Sequence, residues 1–157
     1  MIDTKDLTWN ALKNTNNVPK LALTWLDDSK SLTEKLKKKF ENFSVNVLSQ
    51  IKTAPHDNEI SMLDFDGDCV VREVALLNAE SVMVFARSVI PITNDTKDLL
   101  NIGSKPLGEI LFNNPTIKRG PLQITHTGST WGRRSVFNIG SSKLLVSEFF
   151  MEELYAS

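Results

Sequence analysis

Two apolar runs with almost nothing between them constrain this sequence most. Cys69 to Leu77 and Val82 to Pro91 are rich in the branched and aromatic residues that suit strands, and Asn78-Ala79-Glu80 joins them. So short a link brings the second strand back beside the first as an antiparallel hairpin, because a parallel neighbour needs a crossover of a dozen or more residues. Val45 to Lys52 reads as an earlier strand. Leu122 to Thr127, Arg133 to Ile139 and Lys143 to Met151 read as three later ones, the last two joined by Gly140-Ser141-Ser142.

The beginning of the chain reads differently. Pro19 to Asp28 holds Leu21, Leu23, Trp25 and Leu26 in one short helical stretch. Ser31-Leu32-Thr33-Glu34 has the spacing of a capping box, and Leu32, Leu36, Phe40 and Phe43 follow at helical intervals. Lys35, Lys37, Lys38 and Lys39 fall mostly off that stripe and read as a solvated face. Asp64-Phe65-Asp66-Gly67-Asp68 reads as a turn, and a short helical piece, Glu109 to Phe112, follows the Lys105-Pro106-Leu107-Gly108 corner. Helices first and hairpin-linked strands afterwards point to an α+β domain on an antiparallel sheet, with one domain over residues 1–157. A chain of 157 residues with 41% hydrophobic content can bury a substantial core.

Several function classes drop out. A formal net charge of −1 gives no basic field for nucleic acid or an anionic membrane. No segment approaches the ~20 apolar residues of a spanning helix, and the first ten residues lack the apolar run of a signal peptide, so a cytosolic protein is expected. Cys69 stands alone, which excludes an internal disulfide and a cysteine-based metal site. Asp64, Asp66 and Asp68 fail as a calcium loop, because Gly67 stands at position four and Ala75 at position twelve. His56 and His126 have no companion ligands at metal spacing, and neither a Gly-x-Ser-x-Gly elbow nor a glycine-rich phosphate loop occurs. No metal or organic cofactor is expected.

Charges on otherwise apolar strand faces are the remaining signal. Arg72 lies between Val70 and Val74, and Glu148 between Val146 and Phe150, on faces defined by the two-residue period of a strand. If those faces point inward, each charge must meet an opposite charge or a ligand, since an unpaired buried charge costs several kcal/mol. Arg72 and Glu148 could form a buried ion pair, or Arg72 could pair with Glu73 on an exposed face. Alternatively the Arg72 guanidinium offers a fork to a ligand carboxylate, and Glu148 holds a hydroxyl by donating or accepting a hydrogen bond. Arg87 shares a face with Met83, Phe85 and Val89, and either supplies a second anion-binding fork or snorkels to the surface. Arg133 and Arg134 must face opposite sides, so at most one of them reaches a given pocket.

Five segments in order carry a resemblance: Val71-Arg72-Glu73-Val74, Ala86-Arg87-Ser88-Val89-Ile90-Pro91, Lys105-Pro106-Leu107-Gly108-Glu109-Ile110-Leu111-Phe112, Trp131-Gly132-Arg133-Arg134-Ser135 and Leu144-Leu145-Val146-Ser147-Glu148-Phe149-Phe150. With their spacing, and with Trp25-Leu26 and Ser31-Leu32-Thr33, they resemble the bacterial chorismate–pyruvate lyases over nearly the whole chain. The resemblance implies a six-stranded antiparallel sheet covered by helices and an enclosed ligand cavity under two helical flaps. It implies a monomeric, cofactor-free lyase that converts chorismate to 4-hydroxybenzoate and pyruvate for ubiquinone biosynthesis. Arg72 would grip the ring carboxylate, aided by main-chain groups at Leu32 and Leu107, and Glu148 would hold the ring hydroxyl. The alternative is a non-catalytic, small-molecule-sensing domain of the same fold, which in regulators is attached to a DNA-binding segment.

Overall fold

A computed structural model describes residues 2–28 and 30–156. The strands are β1 (Asn10–Ala11), β2 (Phe43–Lys52), β3 (Cys69–Asn78), β4 (Ser81–Pro91), β5 (Lys118–Arg119), β6 (Gln123–Thr127), β7 (Thr130–Ile139) and β8 (Ser142–Phe150). The helices are α1 (Lys20–Leu26), α2 (Leu32–Lys39), α3 (Asp57–Leu63), α4 (Leu107–Phe112) and α5 (Glu152–Tyr155), with short 3₁₀ turns at Leu12–Asn14 and Lys97–Asn101. All strand pairings are antiparallel, in the order β1-β6-β7-β8-β4-β3-β2, with β5 also on β7. The α+β class expected from the sequence is therefore correct. Among the described residues the sheet has eight strands rather than six, because β1 and β5 add two-residue edges too short to leave a periodic signal.

The sheet's two faces divide the buried residues. One face carries Leu76, Val84, Phe150 and Trp131 side by side, and α1, α2 and α5 pack on it through Trp25, Leu26, Leu36 and Leu154. Further along the same face Ile90, Leu144 and Val146 meet Leu99, Leu107 and Leu111 from the 3₁₀ turn and α4. The opposite face packs Val71, Val89 and Leu145 against Leu63 of α3. Gly132 is a glycine for a local reason on that face: a Cβ there would lie 2.7 Å from the ring of Phe149 and 3.0 Å from Thr125.

Helix ends follow from particular residues. The Ser31 hydroxyl accepts from the Glu34 amide at 3.3 Å, so the serine half of the expected capping box forms at the start of α2, without a return bond from the Ser31 amide to the Glu34 carboxylate among the described residues. Phe40 ends that helix in an extended conformation and Phe43 opens β2, so the helical stripe stops short of the phenylalanine that sequence spacing placed on it. Helix α3 was not anticipated from the sequence. Its start is held by the Glu59 carboxylate, which accepts from the His56 amide at 2.8 Å, and it ends at Asp64 in the left-handed region at φ 50°.

Candidate active site

Two rows of side chains cross the middle of the helix-covered face, between its two apolar clusters. One row is Arg72, Ser88, Val146 and Ser135; the next is Val74, Ala86, Glu148 and Arg133, each set by the antiparallel register of β3, β4, β8 and β7. From strand spacing and rise, the Cα atoms of Arg72 and Glu148 stand roughly 12 Å apart across two strands. The space between their side chains is a cavity roofed by residues of α2 and α4, and Leu32, Arg72, Leu107 and Glu148 all line it. Lys30 and Phe112, also on its wall, are exposed, so the cavity reaches the surface at the rim. Across that roof the Lys37 ammonium of α2 and the Glu109 carboxylate of α4 pair at 3.0 Å.

Arg72 is buried, 2% exposed, and makes neither of the ion pairs weighed from the sequence. Its guanidinium donates to Gln50 Oε1 at 2.8 Å and to the carbonyls of Gly103 and Lys105 at 2.9 and 3.1 Å, all neutral acceptors. No described carboxylate lies within salt-bridge distance, and burial pulls its pKa below the usual arginine range. A desolvated cation without a countercharge is the setting in which an anionic ligand contributes most. The three bonds also fix the fork: Gln50 is held by the Leu100 carbonyl at 2.7 Å, and Gly103 and Lys105 lead directly into α4.

Glu148 sits beside a charge rather than in apolar surroundings. Arg133 Nε donates to its Oε1 at 2.9 Å, and Arg133 Nη1 donates to the carbonyls of Trp25, Leu26 and Asp28. The carboxylate is thereby tied to the end of α1, while Oε2 has no protein partner among the described residues. That oxygen is available to a hydrogen-bond donor in the cavity. Leu32 and Leu107 are the first residues of α2 and α4, where a main-chain N–H has no acceptor within its own helix.

Arg87 is a correction on both counts. It neither forks an anion in the cavity nor reaches the surface, but lies on the opposite sheet face, 7% exposed. Nε and Nη2 form a two-pronged pair with Glu59 at 2.8 and 2.9 Å, and Nη1 meets Glu73 at 3.1 Å. Arg133 and Arg134 face opposite sides as the alternation required. Arg134 joins Gln123 and Asn58 under α3 and lies over the Trp9 ring at 4.5 Å, and burial draws its pKa down to about 10.

Among the described residues the cavity wall carries four cationic side chains, Lys30, Arg72, Arg119 and Arg133, against one carboxylate, Glu148. In a chain whose net charge is −1, that is a strongly anion-attracting pocket. Among the described residues no group of three His, Cys, Asp or Glu side chains could hold a metal ion. No helix among them is long and apolar enough to cross a membrane.

Comparison with known proteins decides the family. The model of the family described as chorismate lyase matches residues 4–157. This chain belongs to the chorismate lyase family. A "Probable chorismate pyruvate-lyase" of Aromatoleum aromaticum is 34% identical, with 92% of this chain and 91% of that protein covered. One from Shewanella sp. is 32% identical, with 94% and 89% covered. Among solved structures, the possible transcriptional regulator YydK of Bacillus subtilis superposes with a TM-score of 0.52 at 13% identity, over 90% of this chain and 87% of that one. That likeness shows a shared fold and nothing of function. Family membership makes this chain a lyase, and the sensor-domain alternative is not favoured.

Proposed function

We propose that the cavity binds chorismate and converts it to 4-hydroxybenzoate and pyruvate by cofactor-free elimination. The observation that carries this reading is Arg72, a buried guanidinium with no countercharge among the described residues, lining one cavity with a Glu148 oxygen that has no partner among them. A flat ring with a carboxylate at one end and a hydroxyl at the other satisfies both. Arg72 receives the ring carboxylate, with the main-chain N–H groups at Leu107 and Leu32 completing its hydrogen bonds, and Glu148 accepts from the ring hydroxyl.

The chemistry asks little of the protein in acid–base terms. The ether bond between ring and enolpyruvyl arm breaks, and its electron pair leaves with the arm's oxygen. The C–H pair on the adjacent, hydroxyl-bearing ring carbon becomes the last double bond of the aromatic ring. That hydrogen ends on the arm's methylene carbon, so the arm departs as pyruvate and no water is consumed. Transfer within the substrate is the route that needs no protein base. Arg72 and Glu148 then act by fixing the ring so that hydrogen and methylene meet, and by placing charge where it develops. Closure of α2 and α4 over the bound ring would give the enclosed cavity expected of the family. The protein would act as a cytosolic monomer whose 4-hydroxybenzoate enters ubiquinone biosynthesis.

Incubation of the purified protein with chorismate should give equimolar 4-hydroxybenzoate and pyruvate, at a rate unchanged by a chelator. Activity that disappears in EDTA and returns with added metal would overturn the cofactor-free mechanism. No product under any condition would overturn the function.

A further inference from the structure

Arg119 enters the cavity from β5, at the edge of the sheet, and is not assigned by the roles above. Its Nε donates to the Ser135 hydroxyl at 2.9 Å, and its guanidinium lies 5.4 Å from the centre of the Phe137 ring. Those two contacts hold the group at the cavity wall while occupying only one of its N–H donors. Among the described residues no carboxylate lies within salt-bridge distance of it, and the charges that act on it are those of Arg133, Glu148 and Asp28. Burial lowers its pKa, Arg133 lowers it further, and Glu148 and Asp28 only partly oppose them. The end of the cavity that holds Glu148 therefore has two guanidinium groups, of which Glu148 satisfies one, Arg133.

A product with one carboxylate leaves that surplus cation unused. Chorismate has a second carboxylate, on the enolpyruvyl arm, and the arm is attached to the ring carbon next to the one bearing the hydroxyl. With the hydroxyl at Glu148, the arm must lie at the Glu148 end. We propose that Arg119 is the specificity residue for the leaving arm: its open N–H donors receive the enolpyruvyl carboxylate, and the same contact turns the arm's methylene toward the ring hydrogen. This rests on the chorismate reading of the cavity. It makes a distinction that Arg72 does not, because Arg72 serves substrate and product alike, whereas Arg119 serves only molecules that carry the arm.

The test compares two non-reacting aromatic probes, 4-hydroxybenzoate and 3-(carboxymethoxy)-4-hydroxybenzoate, which adds an ether arm ending in a carboxylate. Calorimetry on wild type, Arg119→Ala and Arg119→Gln should show 4-hydroxybenzoate affinity within about threefold of wild type, while the armed probe weakens by roughly 10- to 100-fold, the range for a lost charge-assisted hydrogen bond. Arg119→Lys, which keeps charge without the fork, should recover part of that loss. In turnover, kcat/KM for chorismate should fall by a similar factor in Arg119→Ala. Equal weakening of both probes in all variants would mean that Arg119 only shapes the pocket, and unchanged binding of the armed probe would mean that the arm lies elsewhere; either result overturns the proposal. Because the probes do not react, their binding is read even if wild type fails to turn over chorismate, which would count against the function and not against Arg119.

Discussion

Arg72→Ala is expected to weaken 4-hydroxybenzoate binding by about 2–5 kcal/mol while leaving a folded protein, because a carboxylate loses a charge-assisted fork in a desolvated site. The same residue contributes far less to folding. Its three protein acceptors are neutral, so removing the cation also removes an uncompensated desolvation cost, and no carboxylate is left stranded. Gln50 loses one donor but remains held by the Leu100 carbonyl. Arg72→Lys should also bind poorly, since a point charge cannot serve Gln50, the α4 loop and a planar carboxylate together. Calorimetry with 4-hydroxybenzoate measures the first effect and urea unfolding the second. Normal binding by Arg72→Ala would remove Arg72 from the site.

The contrasting case is Arg87→Ala, expected to cost about 3–5 kcal/mol of folding stability, much of what a domain of this size has. Its loss strands Glu59, which is 3% exposed, and takes the partner from Glu73. The effect should also depend on pH. Burial pushes the Glu59 carboxyl up, but the Arg87 hydrogen bond, the His56 amide and the Arg87 charge together bring it below the ordinary carboxylate range. A depressed folded-state pKa contributes stability that is present above the unfolded value and lost as pH falls through the folded one. Without Arg87 burial dominates and holds the Glu59 carboxyl above its unfolded value, so the variant gains stability as pH falls toward that value, whereas wild type loses its own contribution only below it. The wild-type advantage in urea should therefore shrink between neutral pH and about pH 5. A gap that stays constant over that interval would mean that Glu59 is not the group Arg87 supports.

The same two arginines show what the sequence revealed and what it hid. Strand periodicity put Arg72 and Glu148 on apolar faces, and because β3 and β8 are regular near them, both reach one cavity. Periodicity could not find their partners, which come from strands and loops distant in sequence. Gln50 was hidden by a register shift between Val47 and Ser49: Val45 and Val47 face the cavity side, and the irregularity puts Gln50 rather than Ser49 or Ile51 there. Arg87 was misplaced because its carboxylate partner Glu59 sits on α3, a seven-residue helix with little apolar periodicity to announce it. Arg119 lies on a two-residue strand, where alternation has no length over which to register. The lone charges on apolar faces were legible; the assignment of each to ligand or ion pair was not, because that depends on which helix covers which face.

A crystal structure with bound 4-hydroxybenzoate is the most direct test of the site. The ring should lie between α2 and the sheet, its carboxylate on the Arg72 guanidinium and the main chain at Leu107, and its hydroxyl on Glu148. Density for the ligand outside this cavity, or a ring reversed so that its carboxylate meets Arg119 and Arg133 while Arg72 keeps only its neutral partners, would contradict the assignment of both ends.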